Sequence, residues 1–188
     1  MKRLLIERGD SLRSDYIKTD SIAAILWALQ PANRLVCEIA LQTGWRVDDI
    51  LCLKVDQLKA ALLNKRHTLT IEEMKTGKKS TKSLTRQTLK ECLEQAGICY
   101  VFEGRDDYRK HRSRQAVYLD LKRVAKRFNI KLNLSPHSLR KNYAVYLRES
   151  GKTLDQIQRA LNHGDIVTTM LYVFSDELNS KYQKKGRS

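Results

Sequence analysis

Apolar residues recur along most of this chain every three or four positions, and a single stretch alternates with period two. Ile22, Ile25, Leu26 and Leu29 make one face of a first predicted helix, with Thr19 or Asp20 as its cap and Pro31 as its end. Leu35, Val36 and Ile39 mark a second over residues 33–42, broken at Gly44, and a short third covers 47–53. Residues 88–96 read as helix, stopped by Gly97. Val117, Leu121, Val124 and Phe128 stripe a helix over 115–128. Ser135 caps the next, with Pro136 at its first position, Leu139, Tyr143, Tyr146 and Leu147 inward, and Gly151 at its end. Thr153 caps a helix carrying Leu154, Ile157 and Leu161, and Asp165 opens a last one through Tyr172. Residues 68–85 are the exception. Their β-branched alternation around Gly77 predicts a hairpin with a Lys-rich tip. The expected fold is mainly α with a small antiparallel β-hairpin. One domain over 19–174 follows a charged lead (1–18) and precedes a polar, basic tail (175–188).

A chain of 188 residues, 41% hydrophobic, can bury one sizeable core. Its formal net charge of +15 exceeds what solubility needs and points to nucleic acid as partner. No basic amphipathic helix opens the chain toward a membrane surface, and the longest apolar run, residues 22–29, is too short to span a bilayer. The charged N-terminus lacks the apolar run of a secretory signal. Cys37, Cys52, Cys92 and Cys99 form no C-x-x-C pair or metal spacing, which suits buried free thiols in the cytoplasm.

Against that background a few polar residues stand out. Arg46 follows Gly44 at a helix start, and Arg140 lies three residues after His137, so the latter two share a helix face and can grip one phosphate. His163 suits a hydrogen bond to a non-bridging phosphate oxygen. Tyr172 is a poor nucleophile alone, but a pocket of Arg46, Arg140 and Lys75 favours its phenolate. A Lys on the hairpin tip suits protonation of a leaving oxygen; Lys75 is the first candidate, with Lys78 and Lys79 as alternatives. Asp48 and Asp49 are adjacent and point apart on a helix, so no metal site is expected. Lys78, Lys79, Lys82 and Arg86 on the hairpin side, and Arg112 and Arg114 with Arg109 and Lys110, form acid-poor blocks expected to contact DNA backbone. Lys122, Arg123, Lys126 and Arg127 form a third.

Taken together, Thr43-Gly44-Trp45-Arg46, the hairpin Lys75, His137-x-x-Arg140, Leu161-Asn162-His163 and Tyr172 resemble the catalytic domain of tyrosine recombinases, the phage-integrase family, from about residue 19 to 174. The resemblance implies the fold of DNA breaking-rejoining enzymes. It implies Arg46, Lys75, His137, Arg140 and His163 as catalytic, Asp49 as supporting carboxylate and Tyr172 as nucleophile. It further implies site-specific recombination, of integrase or invertase type, through a 3′-phosphotyrosyl intermediate without metal, ATP or other cofactor. The implied partners are double-stranded DNA and further copies of the chain, monomeric alone and tetrameric in a synapse, with an accessory DNA-bending protein. The implied setting is a bacterial or phage-encoded protein associated with the nucleoid. Three features depart from the pattern: Asn162 replaces the usual Gly, Asp48-Asp49 the commoner Ser-Glu, and Lys141 stands where a His often follows the Arg. Most relatives also carry a separate helical core-binding domain where this chain has a short lead. The alternatives are a type IB topoisomerase-like enzyme and an inactive DNA-binding accessory protein.

Overall fold

The computed structural model describes residues 17, 19–131, 133–162 and 166–173. In chain order the elements are α1 (Thr19–Ala28), α2 (Pro31–Thr43), α3 (Val47–Leu51), α4 (Val55–Leu63), β1 (Thr68–Glu72), β2 (Lys79–Ser83), α5 (Arg86–Glu94), α6 (Arg114–Arg127), α7 (Pro136–Glu149), α8 (Leu154–Ala160) and α9 (Ile166–Val173). The strands pair antiparallel with Thr70 opposite Thr81, as the alternating pattern requires. Gly77, at φ 64°, lies in the loop between them. The mainly helical class with one small sheet is as expected. Among the described residues no helix is long and apolar enough to cross a membrane.

Several boundaries follow from local chemistry. Pro31 opens α2 instead of closing α1, because a first-turn residue needs no N–H and proline supplies the helical φ. Thr85, Ser113 and Thr153 each accept a backbone N–H at the start of α5, α6 and α8. Helix α4 has no sequence cap of the usual kind; the Gln57 side chain accepts the Lys54 N–H at 2.8 Å instead, which explains why periodicity alone missed it. Gly97 does not end α5. The Glu103 carboxylate packs where its Cβ would stand, 1.9 Å away, so glycine is there for close approach. Tyr146 and Phe128, expected inward, are 62% and 44% exposed, and Cys52 and Cys99 are only half-buried.

The apolar faces fill two adjoining clusters. The larger joins α1–α6 and the hairpin through residues such as Ile39, Ile50, Leu58, Leu89, Phe102 and Leu121, and takes Leu139 from α7. The smaller packs Tyr143 and Ala144 of α7 with Ile157, Leu161 and Val173. Helix α7 therefore serves both, and the seam between them runs past Arg140. A buried polar knot braces the other end of α2: Asp120 accepts from the Gln30 N–H and from Asn33 and Arg123, while Arg112 donates to Asn33 at 2.7 Å. Burial would raise the Asp120 carboxyl, but these donors outweigh it and hold it below its ordinary value.

Gly44 sits on the seam at φ 69°, and a Cβ there would lie 2.2 Å from Tyr143 Cδ1 and 3.0 Å from Leu161 Cδ2. Gly77 has the same backbone sign and open space around it. Gly77→Ala should therefore cost only the left-handed backbone penalty, about 1 kcal/mol, while Gly44→Ala adds a ring clash and should cost about 3 kcal/mol or more. Urea unfolding of the two variants checks this; equal losses would contradict the packing at Gly44.

Candidate active site

The Thr43-Gly44-Trp45-Arg46 word is a helix exit and re-entry. The Thr43 hydroxyl donates to the Ile39 carbonyl at 2.7 Å and accepts the Trp45 N–H at 3.1 Å. Gly44 takes the left-handed turn that caps α2. Trp45 is buried, and its indole N–H donates to Ser80 Oγ at 2.8 Å, fastening the word to β2. Arg46 then falls at the N-cap of α3. Its Nη1 donates to Glu73 Oε2 at 2.5 Å and stands 4.0 Å from Asp49 Oδ2.

Those two carboxylates are both buried, yet they respond oppositely. For Glu73 burial raises the carboxyl, but the donors Asn162, Arg46 and Thr76 outweigh it and bring it below its ordinary value. For Asp49 burial prevails over the Met74 N–H and Arg46, so its carboxyl stays raised. Asp49 Oδ2 has no hydrogen-bond donor among the described residues.

Helix α7 brings in His137 and Arg140 one turn apart, as their spacing predicts. Arg140 is buried, and its Nη1 donates to the Gly44 carbonyl at 2.5 Å while Nη2 donates to the Leu161 carbonyl. His137 Nε2 lies 3.3 Å from Arg114 Nη2. A guanidinium only donates, so Nε2 is the accepting nitrogen and the ring proton belongs on Nδ1. Burial, and then Arg114, Arg140, Lys141 and Arg46, push the His137 imidazole down to about 4. The ring is neutral at neutral pH.

The remaining expected residues divide. Lys75, Lys78, Lys79 and Arg86 are exposed, the first two on the 73–78 loop and Lys79 at the start of β2. Lys82 turns inward instead. Its Nζ donates to the Ala160 carbonyl at 3.0 Å and lies 3.4 Å from the Tyr143 hydroxyl. Burial, then Arg140, lower its ammonium below the ordinary lysine value. Arg112 is engaged by Asn33, as described, and Arg114 also faces Asp48 at 3.7 Å, beside His137. Arg109 and Lys110 both pair with Asp107. His163 and Asp165 lie outside the described residues. Tyr172 falls on α9, where only its backbone is described.

Glu73 and Lys82 are the members that sequence reasoning missed or placed elsewhere. The signal for Lys82 was its position two residues from inward Ser80 on β2, sharing that strand face. For Glu73, directly after the strand, the sequence offers no such signal.

His137 binds fewer protons folded, at about 4, than unfolded. Its contribution to stability is therefore complete above about pH 6.5 and lost progressively as pH falls toward 4. His137→Gln should remove this loss: between about pH 7 and 5, urea stability of the wild type should fall further than that of the variant. Parallel pH slopes would show that the imidazole is not held neutral.

Comparison with known proteins shows what the chain as a whole resembles. Tyrosine recombinase XerD of Listeria monocytogenes is 29% identical over 164 residues, covering 79% of this chain and 52% of the relative. The Staphylococcus aureus XerD shares 45% identity over 60 residues, 32% of this chain and 20% of the relative. The chain thus spans about half the length of the curated relatives it matches. Among solved structures, XerA recombinase superposes with a TM-score of 0.69 at 18% identity, covering 90% of this chain and 64% of that one. A lambda integrase dimer bound to a COC′ core site gives 0.68 at 22% identity, covering 86% of this chain and 59% of that one. Both likenesses concern the fold. The model of the phage integrase family matches residues 15–178, and the chain belongs to that family.

Proposed function

We propose that this chain is the catalytic part of a site-specific DNA recombinase that cuts and rejoins DNA through a 3′-phosphotyrosyl ester. The observation that carries this reading is the convergence of Arg46, His137 and Arg140, from the α2–α3 junction and the first two turns of α7, in a chain of the phage integrase family. The names of the relatives, tyrosine recombinases, support it.

In this reading the Tyr172 phenol attacks the scissile phosphorus, its oxygen forming the new P–O bond as the bond to the 5′-oxygen breaks. The phenolic proton passes to Nε2 of neutral His137 as Arg114 turns from it to the DNA backbone, and the imidazole's basicity rises once the phosphate's negative charge offsets the surrounding cations. Arg46 and Arg140 hold the non-bridging oxygens, and His163 donates to them as charge grows. Asp49 supports Arg46 from behind. Lys75 on the hairpin loop gives the 5′-oxygen its proton, with Lys78 and Lys79 as neighbours able to substitute. The ester keeps the bond energy, so a 5′-hydroxyl from a partner duplex reverses the step without ATP, and the residues themselves supply the charge a metal would. Lys78, Lys79, Arg86 and Arg114 contact the backbone of double-stranded DNA. Residues 19–174 form the catalytic unit. Four copies act on two duplexes in the cytoplasm.

Mixed with a nicked duplex or a plasmid at low salt, the protein should form a covalent protein–DNA band without Mg²⁺, and Tyr172→Phe should abolish it. A band that survives the substitution would assign the nucleophile elsewhere, and no band with any DNA would favour an accessory DNA-binding protein. Strand religation on one duplex, without exchange between two, is the outcome of a topoisomerase.

The general acid is separable by the leaving group, since a 5′-thiolate departs without a proton. Lys75→Ala should slow cleavage of ordinary DNA by about 100-fold or more and leave cleavage of a 5′-bridging phosphorothiolate within about 5-fold of wild type. The same rescue for Lys78→Ala or Lys79→Ala, and not for Lys75→Ala, would move the role along the loop.

A further inference from the structure

Glu73 stands immediately after β1, is 2% exposed, and is absent from the motifs that define the site. Its two carboxylate oxygens serve three donors. Oε2 accepts from Arg46 Nη1 at 2.5 Å and from the Thr76 hydroxyl at 3.1 Å, and Oε1 accepts from Asn162 Nδ2 at 2.8 Å. Its backbone organises the same loop. The Glu73 N–H donates to the Lys78 carbonyl, and the Glu73 carbonyl accepts from the N–H groups of Thr76 and Gly77. One residue therefore joins the N-cap of α3, the loop carrying Lys75, and the residue that precedes His163.

Asn162 departs from the family's usual glycine, and Glu73 supplies a physical reason for it. The backbone there has φ 49°, which asparagine tolerates almost as glycine does. A glycine would leave Glu73 Oε1 buried without this donor, which is costly for a carboxylate. Conversely, Arg46 meets Glu73 through Nη1 alone. Among the described residues Nη2 and Nε of Arg46 have no hydrogen-bond partner, so an edge of the guanidinium stays open to a phosphate.

We propose that Glu73 is a positioning residue which, paired with Asn162, holds Arg46, the Lys75 loop and the approach to His163 in the mutual register that phosphotyrosyl chemistry needs. It acts through Arg46 and Asn162 and does not touch DNA. The proposal rests on the recombinase reading above, because the register matters only if those residues act on one phosphate. Its contribution should appear in the rate of the chemical step more than in DNA binding, since small misplacements of reacting groups are expensive in rate.

The full chain would be assayed for single-turnover formation of the covalent band on a plasmid at low salt. Glu73→Ala should lower the rate at saturating DNA by about 10–100-fold while changing the half-saturating DNA concentration by less than about 3-fold. Glu73→Gln, whose amide oxygen still accepts from a donor, should recover to within about 5-fold of wild type. Asn162→Gly should slow the step in the wild-type background and add nothing to Glu73→Ala, since the two share one contact. Should Glu73→Ala fail to fold, Glu73→Met, which fills similar space without accepting a hydrogen bond, takes its place in the cycle with Asn162→Gly. A wild-type rate in Glu73→Ala, or effects of the two sites that simply multiply, overturns the proposal. A readout without catalysis separates it from the parent reading: in the DNA-free protein, Glu73→Gln should shift the ¹⁵N resonances of the Asn162 side-chain amide and of the Arg46 guanidinium. Unmoved resonances overturn the clamp. A wild type that shows the shifts but forms no ester with any DNA instead overturns the recombinase reading, and the catalytic role of Glu73 with it.

Discussion

A single buried guanidinium bridges the seam between the two apolar clusters of this molecule. Arg140 lies on α7 between Leu139, in the larger apolar cluster, and Tyr143, in the smaller one. Its two terminal nitrogens donate to the carbonyls of Gly44 and Leu161, the residues that cap the C-terminal ends of α2 and α8. Carbonyls at helix ends lack intrahelical partners and carry partial negative charge, which suits a cation placed against them. Removing such a charge from water costs several kcal/mol, and these charge-assisted bonds offset part of that. Arg140 is thus as much a structural clamp as a candidate phosphate ligand. Gly44 serves the same seam by letting the Tyr143 ring and the Leu161 side chain come close.

The segment leading to His163 is fastened at consecutive residues by charged side chains from three different elements. Lys82 from β2 holds the Ala160 carbonyl, Arg140 from α7 that of Leu161, and Glu73 beside β1 the Asn162 amide. Such fastening lets a site keep its geometry before substrate arrives, which is the basis of electrostatic preorganisation. The cations that gather here are balanced in part within the fold. Arg46 is matched by Glu73 and Asp49 and Arg114 by Asp48, while burial and the neighbouring charges lower the Lys82 ammonium and the His137 imidazole from their ordinary values.

Much of this was legible in the chain itself. Three-and-four periodicity located the long helices, and Pro136, Ser135 and Thr153 marked two starts to the residue. The hairpin followed from alternation around Gly77. The pairing of His137 with Arg140 needed only the helical repeat. Local rules misled where a partner distant in sequence decided the outcome. Gly97 answers to Glu103, not to a helix end, and α4 is capped by its own Gln57 where no standard cap residue stands. Lys82 read as a surface cation because charge composition says nothing about which strand face meets Tyr143 and Ala160.

By itself, then, the sequence determined the class of fold, the basic character that suits DNA, and a set of candidate side chains with the chemistry to bind a phosphate. Those properties depend on local periodicity, composition and side-chain chemistry, which are carried residue by residue. Only the tertiary structure decided which charges meet: that Arg46 is shared by Glu73 and Asp49, that His137 is neutral beside Arg114, and that Lys82 and Arg140 grip the end of α8. Apart from Arg46 and Asp49, these contacts join positions 21 to 78 residues apart, and a protonation state depends on the summed field of neighbours that only folding brings within reach.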